Sequence, residues 1–79
     1  MSGQPSHEKT KLHNRVTGLK WPKPEFDFGG PFNGQGGQQW LCVVRINGGE
    51  WGRAYAPSRQ AASEMAANAA YNNLIQQGY

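Results

Sequence analysis

The apolar positions in the first third of the chain repeat with the period of a helix. Leu12, Val16 and Leu19 fall at i, i+4 and i+7, a spacing that places three apolar side chains on one helical face. Gly18 and Pro22 limit the pattern, because glycine weakens a helix and proline cannot continue one. The spacing therefore predicts one short helix before residue 22.

In the middle of the chain the apolar positions alternate, which is the period of a strand. Segment 24–28 places two phenylalanines on one face, and segment 40–46 is rich in residues that favour strands. Turn residues occupy positions 47–49, and segment 50–55 is typical of the returning strand of a hairpin. The pattern predicts three antiparallel strands, with segment 50–55 at an edge of the sheet.

The segment between the first two strands has a different composition. Residues 29–39 include five glycines, one proline and three glutamines in eleven positions. This composition favours turns over regular structure, so we expect a mobile loop here.

The last third of the chain predicts a long, alanine-rich helix. Ser58 is the expected N-cap, and the helix should end near Gly78. Small side chains at Ala62, Ala66 and Ala70 would let the helix axis approach a sheet closely. The larger side chains that pack against this helix from the sheet would be those of Trp40, Cys42, Val44, Ile46 and Trp51. The predicted fold is α+β in the order α-β-β-β-α, a three-stranded antiparallel sheet packed on two helices.

A length of 79 residues permits one small domain, which we place at residues 9–77 after a disordered tail at residues 1–8. One cysteine and two histidines cannot supply a disulfide or a four-ligand zinc site, so no metal is expected. Cys42 is interpreted as a buried structural thiol. No arrangement of acids, bases and nucleophiles points to catalysis, a cofactor or a small-molecule substrate, and we expect no enzymatic activity.

Basic residues are concentrated at the start of the chain. Segment 1–23 has five basic residues and one acidic residue, or +4, whereas segment 24–79 has three and four, or −1, giving the net charge of +3. A basic excess of this kind fits a polyanionic partner. No stretch matches a membrane span or a signal peptide, so we expect an intracellular protein, cytoplasmic or nuclear, without membrane contact.

These features together resemble the double-stranded RNA-binding domain family over roughly residues 9–74. The motifs that carry the resemblance are Pro24-Glu25-Phe26, Gly30-Pro31, Gly48, Glu50-Trp51-Gly52 and Ser58-Arg59 with the three spaced alanines. The resemblance implies a module that binds double-stranded RNA by shape, because A-form RNA hides its bases and displays 2′-hydroxyls in a wide minor groove.

The resemblance also implies three RNA-contacting regions. They contain His13 or Asn14, flanked by Lys11 and Arg15, on the first helix, Pro31 and Asn33 at the first loop, and Arg59, Gln60 and Ser63 at the start of the last helix. Asn33 stands where the family often has histidine, and an amide can donate to and accept from a hydroxyl. The third region usually has three lysines, but here only Arg59 is charged. We therefore expect modest affinity and a weak dependence on salt.

Two other interpretations remain open. A degenerate member of the same fold could bind protein or dimerise through its sheet face and edge strand, where Leu41 and Val43 would be exposed near Arg53. Alternatively, the chain could be an accessory domain of a larger RNA-processing enzyme, such as a Dicer-like ribonuclease, with catalysis elsewhere.

Overall fold

The structure is a computed structural model that describes residues 7–34 and 36–79. Its elements are α1 (Glu8–Gly18), β1 (Glu25–Gly34), β2 (Gly37–Ile46), β3 (Gly49–Ala56) and α2 (Arg59–Gln76). The three strands form one antiparallel sheet in the order β1-β2-β3, so β3 is an edge strand as predicted. The predicted α-β-β-β-α fold is confirmed. Of the tail expected at residues 1–8, residues 1–6 lie outside the described part of the chain, and Glu8 already belongs to α1.

The core lies between one face of the sheet, here called the inner face, and the two helices. Cys42, Val44 and Ile46 alternate along β2 and are buried on this face. Ala62, Ala66 and Ala70 are fully buried opposite them, as their spacing predicted. From α1, Leu12 and Val16 complete the core, whereas Leu19 follows the end of the helix and is only half-buried.

The alanine face brings α2 into direct contact with the backbone of β3. A Cβ atom at Gly52 would lie 2.6 Å from both the Ala66 carbonyl oxygen and the Ala70 nitrogen. Only glycine fits at this crossing, because any side chain would displace helix backbone. The close packing fixes where α2 lies on the sheet and therefore where its N-terminus projects.

The turn and the cap also follow the predictions. Asn47 and Gly48 both have positive φ, 54° and 85°, as a two-residue hairpin turn between right-twisted strands requires. At the start of α2, the Ser58 Oγ accepts a hydrogen bond from the Ala61 N–H at 3.1 Å. Capping of this kind supplies a partner for a backbone donor that the helix itself leaves unpaired.

The prediction of a mobile loop over residues 29–39 is wrong. β1 and β2 continue into this segment, where Phe32 pairs with Gln39, Asn33 with Gln38 and Gly34 with Gly37. The Phe32 ring also packs edge-on against Tyr55 of β3, with 6.3 Å between ring centroids. Strand pairing and this aromatic contact give the glycine-rich segment the regular structure that its composition argues against.

A β-bulge interrupts β1 before the extended part of the hairpin. Gly29 pairs with Leu41 and Phe32 pairs with Gln39, so two residues, Gly30 and Pro31, lie opposite one residue of β2, Trp40. The extra residue inverts the alternation of side chains beyond it. Asn33 therefore projects on the inner side, the side of the helices, and Phe32 projects on the opposite side. Gln38, the partner of Asn33, is on the inner side by simple alternation with Trp40 along β2.

Candidate nucleic-acid interface

Arg59 is the first residue of α2 and lies over two aromatic rings from the sheet. Its guanidinium carbon is 5.0 Å from the centroid of Phe28 and 5.5 Å from that of Trp40. Phe28 pairs with the buried Cys42, which places it on the inner face, and Trp40 is on the same face of β2. Within residues 7–34 and 36–79, no carboxylate lies within ion-pair distance of Arg59. Its positive charge is thus available to a ligand.

The arginines on β2 and β3 differ from Arg59 in having acidic partners. Arg45 Nε is 2.8 Å from Asp27, and Arg53 donates two hydrogen bonds of 2.7 Å to Glu50. The hydrogen bond from Arg53 lowers the pKa of the Glu50 carboxyl and raises the pKa of the guanidinium. These pairs largely neutralise the charge on the strands. Of the three arginines on the sheet and α2, Arg59 is therefore the one whose charge is available to bind an anion.

Two further residues of the first turns of α2 were predicted to contact RNA, and their environments differ. Gln60 is exposed next to Arg59. Ser63 is buried, and its hydroxyl donates a hydrogen bond of 2.8 Å to the Gln60 carbonyl oxygen. The expectation that Ser63 donates to a phosphate therefore conflicts with its position in the core. The burial of Ser63 follows from its spacing in the sequence, because Ser63 shares a helical face with Ala67, Ala70 and Leu74.

The extended hairpin supplies the second part of the candidate surface. Asn33 and its cross-strand partner Gln38 are exposed on the inner side, the side on which Arg59 lies. Pro31 is exposed in the bulge. It lies opposite Trp40, which is one of the two aromatic residues in contact with Arg59. Gly30 has φ of 107°, and a Cβ there would be 3.0 Å from the Gln39 carbonyl oxygen, so glycine is needed for this bulge.

The structure adds three residues to this surface that sequence reasoning did not select, namely Phe28, Trp40 and Gln38. The two aromatic residues resemble core positions in sequence, and nothing local shows that Arg59 lies over them. Gln38 alternates with Trp40 and Cys42 along β2, but it lies in the segment whose composition predicts a loop. Its selection therefore required the observation that β2 begins at Gly37.

The predicted residues of α1 lie apart from Arg59. α1 runs beside α2 in the same direction, since Lys9 pairs with Glu64 at 3.8 Å and Lys11 lies 4.7 Å from the Tyr71 ring centroid. Tyr71 is twelve residues, or about 18 Å, along α2 from Arg59. The other two predicted residues of α1 line the same shallow depression as Lys11 and Tyr71; they are Asn14 and Arg15.

The charges on α1 are also engaged by neighbouring groups. Lys11 Nζ is 3.1 Å from Glu8, and the Arg15 guanidinium donates to the Tyr79 carbonyl oxygen. Glu8 and Glu64 line a groove that runs from Gln60 along α2. Both carboxylates have basic partners, because Lys11 pairs with Glu8 and Lys9 pairs with Glu64, so these charges largely cancel. The candidate surface is accordingly centred on Arg59 and the hairpin, with α1 at its margin.

The opposite face of the sheet, here called the outer face, differs from the expectation for a protein-binding surface. Val43 was predicted to be exposed, but it is only 7% exposed, between Asp27 and Arg53 in the strand register. Leu41 is half-buried, and Arg53 is paired with Glu50. The exposed apolar groups of this face are instead Phe32 and Tyr55, which are 46% and 53% exposed.

Cys42 is a free cysteine and is buried in the core. Burial, with a smaller contribution from the Asp27 charge, raises the pKa of the Cys42 thiol to about 11, so the thiolate is disfavoured at neutral pH. No group of three potential ligands that could hold a metal ion occurs in residues 7–34 and 36–79. In the same residues, no helix has both the length and the apolar character needed to cross a membrane.

Comparison with known proteins shows a likeness to a solved structure. No protein-family model matches the sequence, and no curated protein matches it. A solved structure of Dicer from Pichia stipitis has the same fold, with a TM-score of 0.67 and 24% sequence identity. The likeness covers 87% of this chain and 34% of the Dicer chain. At this identity it establishes the fold alone, and this chain spans about a third of the length of that protein.

Proposed function

We propose that this chain is a non-catalytic module that binds double-stranded RNA by its shape, and that it belongs to the double-stranded RNA-binding domain family. The observation that carries the proposal is the common placement of Arg59, Asn33 and Gln38 on the inner side of the extended hairpin. A cation without an acidic partner therefore lies on the same side as two exposed amides.

The chemistry of this surface suits A-form RNA. A guanidinium at a helix N-terminus favours the phosphate backbone, because it offers several N–H donors in one plane beside the partial positive charge of the helix. The amides of Asn33 and Gln38 can donate to and accept from 2′-hydroxyls in the wide minor groove. Together they bind backbone and sugar, which gives recognition of duplex shape with little dependence on base sequence.

The structural neighbour supports an RNA-related role. The neighbour is a Dicer, and the fold shared with it covers most of this chain but only a third of the Dicer chain. A role as an accessory domain within a longer RNA-processing protein is consistent with that coverage. Binding by this chain would then serve catalysis carried out by other domains.

The affinity should be modest. One guanidinium without an acidic partner makes few ionic contacts, and each phosphate contact contributes an increment of affinity that falls with salt. The lysines of α1 add little positive charge, because Lys9 is paired with Glu64 and Lys11 with Glu8.

A charge reversal at Arg59 tests the proposal. Arg59→Glu changes the net charge from +3 to +1, and Lys23→Glu makes the same change at an exposed site before β1. We expect Arg59→Glu to abolish measurable binding to a 20-base-pair RNA duplex, and Lys23→Glu to weaken it only slightly. Equal losses would indicate non-specific attraction, and unchanged affinity in Arg59→Glu would contradict the proposed site.

A second candidate function is protein binding or self-association through the outer face. The exposed Phe32–Tyr55 pair favours it, together with the half-buried Leu41 and the edge strand β3. Light scattering over a range of protein concentrations tests self-association. A dimer that dissociates on dilution would support this function, whereas a monomer at all concentrations would argue against self-association.

A further inference from the structure

The position of Arg59 depends on two aromatic side chains from different strands. Phe28 comes from β1 and Trp40 from β2, and both rings lie within cation–π distance of the guanidinium. We infer that Phe28 and Trp40 are positioning residues that hold Arg59 ready for an RNA phosphate. This inference rests on the proposed function, and it identifies what prepares the binding site.

Holding the side chain matters because a free arginine has many rotamers. An exposed arginine loses much of this freedom when it binds, and the loss weakens affinity. Contact with two rings restricts the guanidinium before the ligand arrives. These contacts are between the guanidinium carbon and the ring centroids, and a cation–π contact uses no hydrogen-bond acceptor, so the N–H donors stay available to phosphate oxygens.

The neighbouring acids leave this arrangement undisturbed. Asp27, one residue before Phe28, is engaged by Arg45 at 2.8 Å. Glu64, in the second turn of α2, accepts a hydrogen bond of 3.2 Å from the Lys9 backbone N–H and pairs with its ammonium group. In the part of the chain that the structure describes, the aromatic rings are therefore the partners of Arg59, and its N–H donors do not serve an internal ion pair.

The chain provides a matched control for Phe28. Phe32 is in the same strand and is similarly exposed, 46% against 40%, but the bulge places it on the outer face. We expect Phe28→Leu to weaken binding to a 20-base-pair RNA duplex about two- to fivefold, the effect of losing one exposed cation–π contact. Phe32→Leu should leave the affinity unchanged, and Phe28→Tyr, which keeps a ring, should restore it. Thermal unfolding of each variant confirms that the fold persists.

A double-mutant cycle with Arg59→Gln separates positioning from general packing. If the ring acts through Arg59, Phe28→Leu has no further effect on affinity once Arg59 is absent. Independent, additive losses would overturn the positioning role while leaving Arg59 as a contact. Unchanged affinity in Arg59→Gln alone would instead overturn the proposed binding site, so the two failures are distinguishable.

Discussion

The chemical role open to a residue of this domain depends more on its burial and its neighbours than on its amino-acid type. Ser63 and Gln60 are three positions apart on α2, yet one is buried in the core and the other is exposed beside Arg59. The four arginines also differ, because Arg45 and Arg53 have carboxylate partners, Arg15 contacts a backbone carbonyl and Arg59 contacts aromatic rings. The surface chemistry therefore depends on a few positions whose environment leaves donors available.

Cys42 gives a prediction about pH. Burial raises its pKa from an ordinary value of 9.0 to about 11, which means that the folded state favours the neutral thiol. Below pH 9 the thiol is neutral in both states, and its contribution to stability is fully present. Between about pH 9 and pH 11 the unfolded chain loses the proton first, so the free energy of unfolding should fall.

Urea unfolding over this pH range tests the Cys42 prediction, with Cys42→Ala as the control. The alanine variant lacks the thiol but keeps the other groups that titrate at high pH. The wild-type protein should lose more stability than the variant between pH 9 and pH 11. Parallel curves for the two proteins would show that the thiol does not titrate with a raised pKa.

At the scale of elements, the contact between α2 and β3 depends on one glycine. Gly52→Ala would place a Cβ 2.6 Å from backbone atoms of α2, and helix backbone cannot move aside without disturbing the alanine face. We expect a loss of about 3 kcal/mol, which is the upper part of the range for overpacking. Urea unfolding measures it.

Gly18→Ala is the control for Gly52→Ala. Gly18 is the last residue of α1, and a Cβ there would meet no atom within 4 Å. This variant should be neutral or more stable by up to about 1 kcal/mol, because alanine favours a helix over glycine. Similar stability of the two variants would contradict the close crossing of α2 over β3.

The extension of β2 to Gly37 gives the second prediction about elements. Gln38 and Gln39 are adjacent in β2, but they project on opposite sides of the hairpin, Gln38 on the side of Arg59. We expect Gln38→Ala to lower affinity for duplex RNA about fivefold, the effect of one hydrogen bond of about 1 kcal/mol. Gln39→Ala should have little effect. A fluorescence titration that ranks the two variants in the reverse order would contradict the side of β2 assigned to each glutamine.

The features that sequence alone predicts are those set by nearby residues. The Ser58 cap, the Asn47-Gly48 turn and the spaced alanines each follow from a local pattern, and together they determine the order of the elements. The glycine-rich hairpin does not follow from such a pattern, because pairing with a neighbouring strand and the Phe32–Tyr55 contact override its composition.

The candidate site is less predictable for the same reason. Arg59, Asn33 and Pro31 can be selected from the family resemblance, but their common side of the molecule depends on one extra residue in β1. The burial of Val43 likewise depends on the strands on both sides of it. Register and burial involve contacts between distant parts of the chain, which periodicity within one segment does not encode.

The whole molecule is a small domain of one sheet and two helices, and its two sides present different chemical groups. The inner side of the hairpin has an arginine and two amides, whereas the outer face has neutralised ion pairs and an exposed aromatic pair. This asymmetry is the basis for the proposed binding of RNA on the inner side.

The central claim is the recognition of RNA duplex shape, and a comparative titration tests it most directly. The protein is titrated into a 20-base-pair RNA duplex, the DNA duplex of the same sequence and the single-stranded RNA, each at several salt concentrations. We predict a clear preference for the RNA duplex, with a slope of log affinity against log salt of about −1 to −2 because few phosphates are contacted. Equal binding to the DNA duplex, or no binding to RNA at the lowest salt, would contradict the claim.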